Sequence, residues 1–167
     1  WAGAHSLDEG YLLGLLIGDG TMAGSRAVLS AWPGEMAVGC DSLSRPGVAG
    51  VMHAAESAAR GLARRSDFGG WHEIQGRGEF RLRVAGLSEL AETMGVVSGN
   101  KTITPEMERT SSEFHRGVLR GLFDADGSVQ GSQEKGCSVR LSQSDPELLS
   151  SAQRMLLRLG IASRIYR

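Results

Sequence analysis

The chain has 167 residues, 41% of them hydrophobic and 22% charged, close to the globular average, which excludes wholesale disorder and a coiled-coil rod and suits one compact domain or two small fused halves. A formal net charge of −1 excludes a nonspecific polycation, although a net figure leaves open how the sixteen arginines among eighteen basic residues are spread over faces. The longest apolar run, Tyr11 to Ile17 with Gly14 inside it, is far short of the roughly 20 residues a membrane helix needs, so no membrane span is expected.

In chain order, the sequence begins at Trp1 without an initiator Met and without a basic stretch before an apolar one. No secretory signal is expected, therefore, and the chain reads as part of a longer cytoplasmic polypeptide. Ser6 and Glu9 have the spacing of a capping box and open a helix, with Gly20 placed to end it in the left-handed conformation. Ala54 to Arg65 reads as a helix whose end carries Arg60, Arg64 and Arg65, a distribution the helix dipole favours.

Glu79 to Ala85 alternates as a half-buried strand, with Phe80, Leu82 and Val84 on one face and Glu79, Arg81 and Arg83 on the other. Arg77 extends the outer row if the strand begins earlier. Basic residues in register on a sheet serve phosphate contact and base reading, while a plain solvated strand is the alternative. Leu87 to Met94 reads as a short helix, and Thr110 with Glu113 opens another. Ser138 to Ser142 repeats the strand pattern more weakly, Val139 and Leu141 inward and Arg140 outward; Pro146 to Leu159 reads as an amphipathic helix ending at Gly160.

Two cysteines, Cys40 and Cys137, have no metal-ligand spacing and imply neither a zinc site nor a disulfide framework; they read as thiols in a reducing compartment. His5, His53, His72 and His115 likewise share no ligand spacing.

The organising feature is a repeat. A shift of 107 residues places Leu12, Gly14, Leu15, Asp19, Gly20 and Gly24 on Leu119, Gly121, Leu122, Asp126, Gly127 and Gly131. Gly14 and Gly18, and Gly121 and Ala125, lie four apart on single helical faces, which lets two helix backbones approach closely. Symmetry then brings Asp19 and Asp126 near each other at helix carboxyl ends, where the macrodipole and mutual repulsion both disfavour negative charge. A divalent cation with a taste for hard oxygen ligands, Mg²⁺ above all, resolves that conflict and is readily shared with phosphate oxygens. The segment from Asp124 does not make a calcium loop, since Val129 stands where its glycine belongs and Lys135 where its bidentate Glu belongs.

LLGLLIGDG (Leu12 to Gly20) and LRGLFDADG (Leu119 to Gly127) resemble the two signature helices of the LAGLIDADG homing endonucleases, particularly those carried in inteins. Lys101-Thr-Ile-Thr-Pro105 is similar to the lysine-bearing K-x-I-P block that such endonucleases place before the second helix, with the proline displaced by one residue.

The resemblance implies an α+β fold of tandem αββαββα repeats, a first half over residues 1–105 and a second over 106–167 that is incomplete at its C-terminus. It also implies a monomer with internal pseudo-symmetry that binds double-stranded DNA on two sheets and hydrolyses it with Mg²⁺ held by Asp19 and Asp126. Lys101 is expected to stabilise charge near the scissile phosphate, and Arg77, Arg81, Arg83 and Arg140 to face DNA. The sixth motif position is Ile17 in one copy and Asp124 in the other, so Asp124 is given polar packing instead of a metal. Without a splicing Cys or Ser at its start or His-Asn at its end, the chain is expected not to splice by itself. A non-cleaving module of the same fold, a DNA-binding regulator or an RNA maturase, is the alternative function.

Overall fold

A computed structural model describes residues 5–33, 47–64, 66–132, 134 and 136–166. Trp1, Cys40, Arg65, Lys135 and Arg167 lie outside the described residues. The first half runs α1 (Leu7–Gly18), β1 (Thr21–Ala23), β2 (Arg26–Ala31), α2 (Val48–Arg60), β3 (His72–Ile74), β4 (Glu79–Leu82) and α3 (Ala85–Thr93). A short α4 (Pro105–Glu108) leads to α5 (Ser112–Asp126), β5 (Gly127–Ser132), β6 (Gly136–Leu141) and α6 (Pro146–Arg158). This mixed α+β order is αββαββα, then the short α4, then αββα, and no helix among the described residues is long and apolar enough to cross a membrane.

Helix α1 is capped as its sequence dictates: Ser6 Oγ accepts from Glu9 N and the Glu9 carboxylate accepts from Ser6 N. It is buried on every side from Gly10 to Ile17, the mark of a helix at the centre of a core. Its principal partner is α5. An added Cβ at Gly10 would lie 3.0 Å from Val118 N, at Gly14 2.9 Å from Gly121 Cα, and at Gly117 2.7 Å from Tyr11 N. The close stripe is therefore longer than the Gly14, Gly18, Gly121 and Ala125 set, reaching one turn further to Gly10 and Gly117.

Several boundaries differ from the sequence reading. Gly20 is not left-handed; an added Cβ there would stand 2.6 Å from Leu16 Cα, so space and not φ demands the glycine. The N-cap of α5 is Ser111, whose Oγ accepts from Phe114 N, while Thr110 Oγ1 donates to Met107 O and closes α4 instead. Helix α2 begins six residues before Ala54 and ends at Arg60, because Gly61 caps it, so Arg64 lies beyond its last turn. Helix α4, with Pro105 in its first turn and Thr104 as N-cap, goes unread in the sequence pattern.

The first half forms one antiparallel sheet in the order β1-β2-β4-β3. Ala27, Leu29, Ala31 and Leu82 face the helices and are buried, as are Leu87, Leu90 and Ala91 of α3. The second half pairs only β5 with β6 among the described residues, with Val129 directly opposite Val139. Val139 is not inward: it is 67% exposed and Val129 71%, since among the described residues no further helix lies over that ribbon as α1 and α3 lie against β2 of the first sheet.

Candidate functional site

Both motif acids occupy helix ends. Asp19 is the C-cap of α1, its N–H donating to Leu15 O at 3.0 Å, and Asp126 is the last residue of α5. Gly18 gives Asp126 its place: a Cβ added there would sit 3.0 Å from Asp126 Oδ2 and 2.5 Å from Ala125 Cβ. Burial pushes the Asp126 carboxyl above its usual range, and the Asp19 charge pushes in the same direction. Lys101 and a hydrogen bond from Gln143 Nε2 to Asp126 Oδ2 pull it back.

Neither α1 nor α5 carries a basic residue in its last turn, although both end in concentrated negative charge. Lys101 supplies the missing cation from the α3–α4 connection. Its Nζ donates to Leu16 O at 3.3 Å, to Gly18 O at 3.4 Å and to Gly20 O. Burial lowers the ammonium pKa, and the charges of Asp19 and Asp126 oppose that shift. The connection is pinned by Ser98 Oγ donating to Met22 O at 3.0 Å and by Thr104 Oγ1 donating to Met94 O at 2.6 Å. Asp19, Asp126 and Lys101, distant in sequence, thus share one electrostatic site.

The chemistry of this donor set fits a hard cation. Two oxygen-only acids repel each other in a partly buried place, and a third acidic or imidazole ligand is absent among the described residues. That suits an ion completed by water and phosphate oxygens more than one caged by protein. Asp124 is turned away from this role: Tyr11 Oη donates to its Oδ2 at 2.9 Å, and Arg120 lies 4.4 Å over the Tyr11 ring. Burial and the Asp124 bond hold the Tyr11 hydroxyl far above its usual pKa.

The arginines expected on one row are not equivalent. Arg77 sits in the turn joining β3 to β4, outside the strand, and Arg83 lies just past the end of β4, exposed. Arg81 is within β4 but engaged: Nε donates to Glu79 Oε1 at 2.6 Å and Nη2 to Oε2 at 3.1 Å. Glu79, expected on a solvated face, is only 5% exposed, because Arg81 and the Ser30 hydroxyl close over it. Arg140 stands on the separate β5–β6 ribbon, exposed, its Nε donating to Ser138 Oγ at 3.2 Å.

The sequence reading missed Gln143 and Arg26, and it placed Glu79 on the outer face without its pairing to Arg81. Arg26 shares a face of β2 with Ser30 and is exposed. Its basic start to an alternating strand was a usable signal, as was the opposite charge two residues before Arg81; nothing local marks Gln143.

Two small-residue helices thus end in acids that share one site, and each leads into an antiparallel β ribbon. Residues 113–167 match the family model described as a LAGLIDADG-like domain, so the chain carries such a domain from its second motif helix onward. Over 70 residues, 41% of its length, the chain is 40% identical to a DNA polymerase of Thermococcus hydrothermalis. Over 85 residues, 51% of its length, it is 29% identical to the DNA-directed RNA polymerase subunit Rpo1C of Methanocaldococcus jannaschii. These matches span only 4% and 10% of those relatives.

Proposed function

We propose that the chain is a site-specific double-stranded DNA endonuclease of the homing type, carried within an intein and dependent on Mg²⁺. The observation that carries this reading is the convergence of Asp19, Asp126 and Lys101 at the ends of the two motif helices. A module that only binds nucleic acid gains nothing from two like charges held together against the helix dipoles.

Asp19 and Asp126 would hold the metal, with Gln143 fixing the orientation of the Asp126 carboxylate. Mg²⁺ bound there supplies charge neutralisation and a more acidic water for in-line attack on phosphorus. Lys101 keeps a positive charge beside both acids, where negative charge grows on the phosphoryl oxygens during hydrolysis. The exposed basic residues on and beside the four-stranded sheet, Arg26 in β2, Arg77 in the β3–β4 turn and Arg83 just past β4, supply the salt-sensitive part of duplex binding.

Intein association rests on a different observation. Two polymerases of unlike kind each resemble part of this chain over a small fraction of their own lengths. Short matches to this chain within two otherwise unlike polymerases fit an inserted element better than a shared polymerase domain.

The test is a nicking assay on supercoiled plasmids carrying randomised inserts, with Mg²⁺ and with EDTA. Metal-dependent nicked and linear products at a restricted set of inserts are expected. Duplex binding without any metal-dependent cleavage overturns the nuclease reading in favour of the non-cleaving module.

A further inference from the structure

Register places Ser30, Arg81 and His72 side by side across β2, β4 and β3, on the sheet face opposite the buried Leu29 and Leu82. Within this row the Glu79–Arg81 pair is unusual. Glu79 has a 6% exposed side chain and takes the Nε side of the Arg81 fork with both carboxylate oxygens, while Ser30 Oγ donates to Oε1 at 3.0 Å. Arg81 itself remains 30% exposed.

This geometry has two consequences. The guanidinium is held in one orientation, so little side-chain entropy remains to be lost on binding. Its charge is also offset by Glu79, on which Arg77 acts only as a weaker and more distant charge, and this makes it a poor partner for phosphate: an approaching phosphate would meet the Glu79 carboxylate as well. Among the described residues, what stays unengaged is the outer end of the fork, where an Nη1 N–H lies parallel to the second N–H of Nη2. Guanine O6 and N7 are neutral acceptors spaced for that end, and they tolerate a carboxylate behind the arginine.

We propose that Arg81, held by Glu79 and Ser30, is a specificity-determining residue that reads a guanine in the major groove and makes no phosphate contact. The proposal rests on the duplex-DNA reading of the chain. It separates Arg81 from Arg26 and Arg83, whose charges are not cancelled in this way and which belong to the electrostatic part of binding.

The experiment selects bound duplexes from a randomised double-stranded pool with the full chain, then measures affinity against salt concentration for the selected sites. The wild type should prefer guanine at the position Arg81 reaches. Arg81→Ala should lose about tenfold or more of that discrimination and keep its salt slope, because no counterion-releasing contact disappears. Arg81→Lys, which keeps the charge and the stem and so guards against a folding defect, should weaken the same preference, since an ammonium reaches O6 and N7 without the fork that fixes its angle. Glu79→Gln should weaken the preference and steepen the slope as the arginine charge is uncovered. A slope flattened by about one with base preferences unchanged in Arg81→Ala would make it a phosphate contact and overturn the assignment. Failure of the wild type to select any duplex overturns the DNA reading itself, a result distinct from failure of the variants alone.

Discussion

Gly18 of α1 and Asp126 of α5 fit together as a missing side chain and the carboxylate that passes over it. A Cβ on Gly18 would meet Asp126 Oδ2 at 3.0 Å and Ala125 Cβ at 2.5 Å, both side-chain atoms, whereas one on Gly14 would meet the backbone of Val118, Gly121 and Leu122. The same stripe therefore has a structural end and an end that governs the acid site.

Gly14→Ala is accordingly expected to cost about 1–3 kcal/mol or more, since two helix backbones must part to admit it. Gly18→Ala should cost less stability and instead move Asp126, weakening Mg²⁺ binding. Urea denaturation read beside metal titration checks the contrast; equal stability losses at both positions would contradict it.

Asp19→Asn and Asp126→Asn should each fold, bind duplex DNA and lose Mg²⁺-dependent cleavage of at least one strand. For Asp126 the pH dependence follows from its raised pKa. The folded state binds that proton more tightly than the unfolded one, so stability from this group is greatest at low pH and falls as pH rises through the window between the unfolded and folded values. Asp126→Asn should therefore be at least as stable as the wild type at neutral pH without metal, as thermal melts across pH would show. Ca²⁺ should support wild-type binding with little cutting, because its larger and looser shell positions water and phosphate less well. Cleavage of both strands at the wild-type rate by either variant would remove the shared acid site.

Lys101→Met removes a cation from three carbonyls at the end of α1 as well as from the two acids. A stability loss on the order of 1–2 kcal/mol is expected from charged hydrogen bonds in this half-buried place. Cleavage should fall more than DNA affinity does, since the charge matters most to the transition state. Single-turnover rates against binding constants separate the two, and equal losses would make Lys101 an ordinary phosphate contact.

Glu108 ties α4 to α6. Its carboxylate accepts from Arg154 Nε at 3.0 Å and Nη2 at 2.5 Å, and Arg158 Nη1 lies 3.6 Å from Oε2. The Arg154 bonds lead in holding the Glu108 pKa below its ordinary value near 4.5. Stability from this carboxylate is fully present above the unfolded pKa and is lost as pH falls through the folded one. Glu108→Gln should cost about 1 kcal/mol at neutral pH, given how exposed both arginines are, and should flatten the acid limb of the stability profile. A stability loss independent of pH would point to packing and not charge.

Features that depend on near neighbours along the chain were legible in the residues alone. Ser6 with Glu9 opens α1, Pro146 starts α6 and a left-handed Gly160 closes it, and the repeat of the motif in register sets the α+β order. These are legible because capping, ring closure at proline and helical spacing act within a turn or two. The opposite charges of Glu79 and Arg81 were equally local, two residues apart on one face of one strand, and this spacing was the signal for the pair, although the alternation placed both toward solvent.

Contacts between distant elements settled the remainder. Gln143 reaches Asp126 because β5 and β6 fold back and return the chain to the end of α5, and Lys101 reaches the α1 carbonyls from a loop fastened by Ser98 to Met22 and by Thr104 to Met94. Val139 alternates as an inward residue would, and stays exposed because burial depends on what lies over the ribbon. A side chain's pattern fixes which face of a strand it takes, whereas its partner and its burial are set by elements far away in sequence that the pattern does not contain.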